Sequence, residues 1–178
     1  MRDGGFLVMN LQSDDFEIFG LQPRFAQNKS EIDTRWKELQ REAHPDRFTV
    51  HGAAAQRVAM QWSVRINEAY QRLKSPLRRA AYLCEMHGAR IQAEDNTAMP
   101  SDFLIRQMEW RESLDEAESE EAIVRLNDEV RSEQSETIKR CGYLIDEQQD
   151  YSAAAADVRK LMFIERFALD IDRKLESI

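Results

Sequence analysis

Ile32, Trp36, Leu39 and Ala43 recur at intervals of four, three and four residues, the spacing of one buried stripe on an α-helix. Val58, Trp62, Ile66, Ala69 and Leu73 form a second stripe of the same kind. Between the two stands His44-Pro45-Asp46. A proline stops the helix before it and drives the preceding residue into an extended conformation. The pattern predicts an antiparallel helical hairpin with His44 and Asp46 at its exposed tip. Ser30 is the expected N-cap of the first helix, with Asp33 three residues on, close to a capping box. Upstream, Asp14 to Leu21 reads as a short helix stopped by Gly20. Downstream, Ser75-Pro76 supplies a cap and an N1 proline for a helix over Leu77 to Cys84 that Gly88 ends.

From Gly88 to Pro100 the apolar period lapses and a proline closes the stretch, as in a linker. Three further helices are predicted beyond it. The first, capped by Ser101 or Asp102, runs through Phe103 to about Glu118. The second spans about Glu120 to Gln149 on Ile123, Leu126, Val130, Ile138, Cys141 and Ile145. The third starts near Ser152 on the seam Leu161, Ile164, Ala168, Ile171 and Leu175. With short connections and no strand pattern, these read as an antiparallel three-helix bundle. The expected organisation is an N-terminal extension at 1–12, a hairpin domain at 13–88, a linker at 89–100 and the bundle at 101–178.

The helix from Ser101 is two-faced. Projected at ~100° per residue, Phe103, Trp110, Leu114 and Ala117 fall on one side. Leu104, Ile105 and Met108 fall almost opposite, continued by Glu109, Glu112 and Glu116. One stripe suffices for a bundle. The second is either packed on the hairpin domain or exposed as an apolar patch rimmed by acids, the mark of a protein-binding surface. Phe163, on the last helix, projects away from the seam of Leu161, Ile164 and Ala168.

Charge sharpens the picture. Residues 1–87 hold 13 Lys and Arg against 11 Asp and Glu, a net of +2; residues 88–178 hold 12 against 22, a net of −10. An acidic C-terminal half argues against a nucleic-acid partner and fits a partner with a basic surface. In the N-terminal half Lys37, Arg41 and His44 form a basic strip beside the buried stripe, joined by Arg47 after the turn. No apolar run approaches the roughly 20 residues of a membrane span. Phe6-Leu7-Val8-Met9 is too short for a secretory core, so no export signal is expected. Cys84 and Cys141 make no CxxC pair and read as buried thiols in a reducing compartment.

Catalysis by His44 and Asp46 is not expected, because acid–base pairs work in clefts beside a nucleophile or metal and this turn is convex. His44, His51 and His87 lack metal-ligand spacing. No cofactor, metal, nucleic acid or membrane is expected, and no enzymatic activity.

The short helix ending in Phe19-Gly20-Leu21, the basic helix, His44-Pro45-Asp46, Phe48 and the long helix with Ile66-Asn67-Glu68-Ala69-Tyr70 together resemble a J-domain. J-domains are the modules with which co-chaperones stimulate Hsp70 ATPases. Over about residues 13–178 the chain resembles the HscB family, J-type co-chaperones of iron–sulfur cluster assembly. That likeness rests also on Leu73-Lys74-Ser75-Pro76-Leu77, Ala81-Tyr82-Leu83, Phe103-Leu104, Arg111 to Glu116 and Val158 to Phe163. Ala43 departs from the J-domain pattern, in which an aromatic is common before the tripeptide. The resemblance implies a cytoplasmic protein of two all-α domains. Lys37, Arg41, His44, Pro45, Asp46 and Arg47 would dock an Hsp70. Leu104, Ile105, Met108, Glu109, Glu112, Glu116 and Phe163 would bind the iron–sulfur scaffold protein. A general J-protein with another client, or a helical adaptor, are the rival readings.

Overall fold

The computed structural model describes residues 10–92 and 99–177. Its helices are α1 (Asp15–Phe19), α2 (Lys29–Glu42), α3 (Ala53–Lys74), α4 (Pro76–Met86), α5 (Ser101–Glu116), α6 (Glu120–Tyr143) and α7 (Tyr151–Glu176), with a 3₁₀ turn at Pro45–His51 and a π turn at Leu144–Gln148. The fold is all-α. Among the described residues no helix is long and apolar enough to cross a membrane. Contacts divide the chain after Arg79, within α4.

In the N-terminal unit, Asp14 caps α1 through the Glu17 amide, and Gly20 ends it at φ 66°, a left-handed conformation that glycine adopts without steric cost. The N-cap of α2 is Asn28 rather than Ser30. Its side chain accepts from the amides of Ser30 and Glu31, so the helix starts one residue before the expected cap. Ile32 and Leu39 of α2, Ala43 at its C-cap, and Trp62, Ile66, Ala69 and Leu73 of α3 are all buried, and the two helices pack on each other. Val58 departs from its expected stripe and is 50% exposed, while Ala59 is buried. The first turns of α3 face the 3₁₀ turn rather than α2 alone, which shifts the covered side of the helix by one residue.

Polar pairing fixes the hairpin register. The Trp36 indole N–H and the Gln40 amide both donate to Asn67 Oδ1, at 2.9 and 2.8 Å. The Tyr70 hydroxyl donates to Asp33 at 2.8 Å, and the Trp36 and Tyr70 rings stack at 4.7 Å. On another face of the same stretch of α3, fully buried Asp15 pairs with Arg65 at 2.7 Å and with Arg72, pinning α1 to α3.

In the second unit Leu83 and Cys84 of α4 are buried. The His87 ring stacks on Tyr151 at 3.8 Å, and the Arg159 guanidinium donates to the Ile91 carbonyl at 3.3 Å. Ile91 is itself buried, so this part of the expected linker is tied to α7. Residues 93–98 of that stretch, and Phe6 to Met9 near the N-terminus, lie outside the described residues. The bundle core holds Phe103, Trp110 and Leu114 from α5, Ile123, Leu126 and Val130 from α6, and Ile164, Phe167 and Ile171 from α7. Arg106 meets Glu133 while Trp110 meets Glu129, a descending register that makes α5 and α6 antiparallel. Arg140 with Asp157 and Cys141 with Ala154 do the same for α6 and α7.

Two expectations for α7 change. Phe167 is buried at 2% exposure where Ala168 was expected, and Phe163 is half-buried instead of turned away from the core. The cause is a row of aromatics. Phe163 stacks on Phe167 at 6.1 Å and meets Phe103 edge to face at 5.9 Å, so the covered sector of α7 widens toward α5. Ile138 is likewise only half-buried, with Thr137 buried beside it.

Cys84 and Cys141 are free and buried. Burial pushes the Cys84 thiol from 9.0 up to about 11 and the Cys141 thiol from 9.0 up to about 12, because a thiolate loses its hydration there.

Candidate functional site: two protein-docking surfaces

The first surface is built by the end of α2. The Ala43 amide bonds the Leu39 carbonyl, and His44 follows at φ −61°, ψ 125°, the extended geometry the next proline requires. Pro45 opens the 3₁₀ turn. His44 Nδ1 accepts from the Asp46 amide at 3.3 Å and stands 3.6 Å from the Asp46 carboxylate. The His44 and Asp46 side chains are 58% and 85% exposed.

Arg47 reaches back to donate to the Arg41 carbonyl at 3.4 Å, placing a cation where the helix dipole favours one. Arg41, His44, Asp46 and Arg47 thus meet at one end of the hairpin, Pro45 fixes the turn, and exposed Lys37 lies one turn back along α2. Among the described residues, His44 and Asp46 stand open to solvent rather than in a cleft. An exposed carboxylate beside a cluster of cations suits charge-directed docking.

The second surface is the outer side of α5. Phe103, Trp110 and Leu114 are buried, while Leu104, Ile105 and Met108 are 43%, 57% and 71% exposed. Glu109, Glu112 and Glu116 are exposed on the same side. Rotation of the helix is set from within. The Trp110 N–H donates to Glu129 at 2.9 Å, its ring stacks on Phe167 at 5.8 Å, and Arg106 pairs with Glu133 at 2.8 Å. Phe163 stands at the α5–α7 seam, its ring shared between core and surface. Two residues with no role in the expected site also lie there, Arg111 over the Phe163 ring and Lys160 over the Phe103 ring. Spacing offered a sign of both: Arg111 follows Leu104 by seven residues, and Lys160 precedes Phe163 by three.

The family model described as "HSCB C-terminal oligomerisation domain" matches residues 99–172. The co-chaperone protein HscB homolog of Burkholderia multivorans is 42% identical over 174 residues, which cover 96% of this chain and 99% of that protein. The crystal structure of the human co-chaperone protein HscB superposes with a TM-score of 0.89 at 28% identity, covering 96% of this chain and 86% of that one. The chaperone HscB from Vibrio cholerae gives 0.78 at 33% identity, covering 90% and 96%. A helical hairpin with an exposed His44-Pro45-Asp46 turn, followed by a helical bundle, defines a J-type co-chaperone. The chain belongs to the HscB family, the J-type co-chaperones of iron–sulfur cluster assembly.

Proposed function

We propose that this chain stimulates the ATPase of a specialised Hsp70 and delivers to it the scaffold protein on which iron–sulfur clusters are assembled. The observation that carries the proposal is the exposure, in one chain, of both the His44-Pro45-Asp46 turn and the apolar Leu104/Ile105/Met108 face. Residues 13–88 act as the J-domain and residues 101–178 as the client-binding domain. Both free thiols suit the reducing cytoplasm.

Lys37, Arg41 and Arg47 meet an acidic surface of the Hsp70 nucleotide-binding domain, and Asp46 engages an arginine there. His44 orders the turn through the Asp46 amide. Exposed charges of this kind raise on-rate and set orientation more than they add affinity, which suits a partner that must leave after one ATPase cycle. On the client side, burying roughly 300 Å² of apolar surface at about 25 cal/mol per Å² contributes on the order of 7 kcal/mol gross. Association opposes this with roughly 4–15 kcal/mol. With the polar contacts of Glu109, Glu112 and Glu116 added, the complex falls near the micromolar range, tight enough to carry a client and weak enough to release it.

A single-turnover Hsp70 ATPase assay tests the proposal. The chain should accelerate hydrolysis alone, and accelerate it further together with the scaffold. Absence of any acceleration refutes the first half; absence of the scaffold's added effect refutes the second. The description of the matched family model favours one second reading, in which two copies of the bundle associate through the same apolar face. Light scattering separates the two, since only self-association raises the mass of the chain by itself.

A further inference from the structure

Phe103 and Phe163 meet edge to face across the α5–α7 seam, and each ring carries a cation. The Arg111 guanidinium lies 5.5 Å from the Phe163 centroid and the Lys160 ammonium 5.4 Å from the Phe103 centroid. Neither cation makes an ion pair among the described residues, although residues 88–178 carry 22 acidic side chains against 12 basic ones. Contact with a ring face holds a cation in place without neutralising it, so both remain able to accept a carboxylate.

Their position on α5 gives this a direction. Arg111 is seven residues beyond Leu104, so the two share an azimuth to within about 20°. The apolar strip of Leu104, Met108 and Ile105 therefore has a basic border on its α7 side. Glu109 and Glu116, also seven apart, line the opposite border. Asp115 and Glu112 stand between the two along the exposed side.

We propose that Arg111 and Lys160 are specificity-determining residues of the client surface, a basic border that takes a carboxylate of the scaffold protein while Glu109 and Glu116 take its cations across the apolar strip. This rests on the client reading of α5 given above. Opposite signs on the two borders fix orientation, because a client docked the other way round brings like charges together. The matching surface on the scaffold is an apolar patch with an acidic side chain on one flank and basic side chains on the other.

The test is calorimetric titration of the iron–sulfur scaffold protein into the full chain at low and at high ionic strength. The variants are Arg111→Glu/Lys160→Glu, Arg111→Gln, Arg111→Lys and Leu104→Ala/Met108→Ala, each checked by a thermal melt. The double charge reversal should weaken binding at least about tenfold at low salt, with the gap narrowing as salt screens the pairs. Arg111→Gln should lie between it and wild type, and Arg111→Lys should bind close to wild type. Should the double reversal melt early, Arg111→Gln alone carries the comparison. Charge variants that bind as tightly as wild type, while Leu104→Ala/Met108→Ala does not bind, overturn the basic border and leave the client face standing. If Leu104→Ala/Met108→Ala binds normally, the client reading itself falls.

Discussion

One buried ring and one pair of exposed apolar side chains on the same helix should behave in opposite ways when shortened. Trp110 is 1% exposed, stacks on Phe167, meets Phe103 edge to face at 6.2 Å and donates to Glu129. Trp110→Ala removes a large buried ring and leaves the Glu129 carboxylate without its partner, so a loss of about 3–5 kcal/mol is expected. Met108, 71% exposed, and Leu104, 43% exposed, have given up far less water contact on folding. Full burial of such a side chain is worth roughly 1.5–3 kcal/mol. The double variant Leu104→Ala/Met108→Ala should therefore cost only about 1–2 kcal/mol in total. Phe163 is better left in place, since its ring closes the aromatic row and its removal would mix stability with binding.

Urea unfolding of each variant, beside titration of the scaffold protein, separates the two outcomes. Leu104→Ala/Met108→Ala should keep a cooperative transition close to wild type and lose scaffold binding. Trp110→Ala should shift the midpoint strongly and lose binding only to the extent that the fold is lost. A Leu104→Ala/Met108→Ala chain destabilised by more than about 3 kcal/mol, the range of buried truncations, would show that the outer face of α5 is already covered. The division of this helix into a core side and a docking side would then be wrong.

His44→Gln should abolish Hsp70 ATPase stimulation with the melting temperature unchanged, because the side chain is exposed, and Arg41→Glu should weaken stimulation most at low ionic strength. A salt-independent response would refute electrostatic docking. Asp15→Asn should cost about 3 kcal/mol, read as a lower urea midpoint with an unchanged slope, since it leaves Arg65 and Arg72 facing a neutral group in the interior. Cys84 and Cys141 should resist thiol reagents at pH 8 until the chain is denatured, and early labelling would contradict their burial. Their raised folded-state values also set a sign. The unfolded chain releases these protons from about pH 9 while the folded chain holds them to about 11 and 12, so this part of the stability is present below pH 9 and falls as pH rises through that window.

Helical spacing alone revealed the hairpin, since burying one stripe of α2 against one of α3 needs only a period near 3.6, and Pro45 can only interrupt it. The same spacing identified α5 as two-faced, because Leu104, Ile105 and Met108 are apolar at positions the core does not need. These properties are local and can be read along the chain. Caps and edges were less legible. Asn28 displaced Ser30, and Ala59 displaced Val58, because the covering neighbour changes where the 3₁₀ turn replaces α2. Tertiary structure alone decided how Phe163 is used. Its azimuth on α7 points away from the seam, yet rings from α5 and further along α7 widen the core to include it, and which helix lies on which flank is not written in the period of any one of them. The same holds for Arg111 and Lys160. As sequence they are two charges among many; only the parallel approach of α5 and α7 sets them over Phe163 and Phe103 and gives the apolar strip a border of opposite sign.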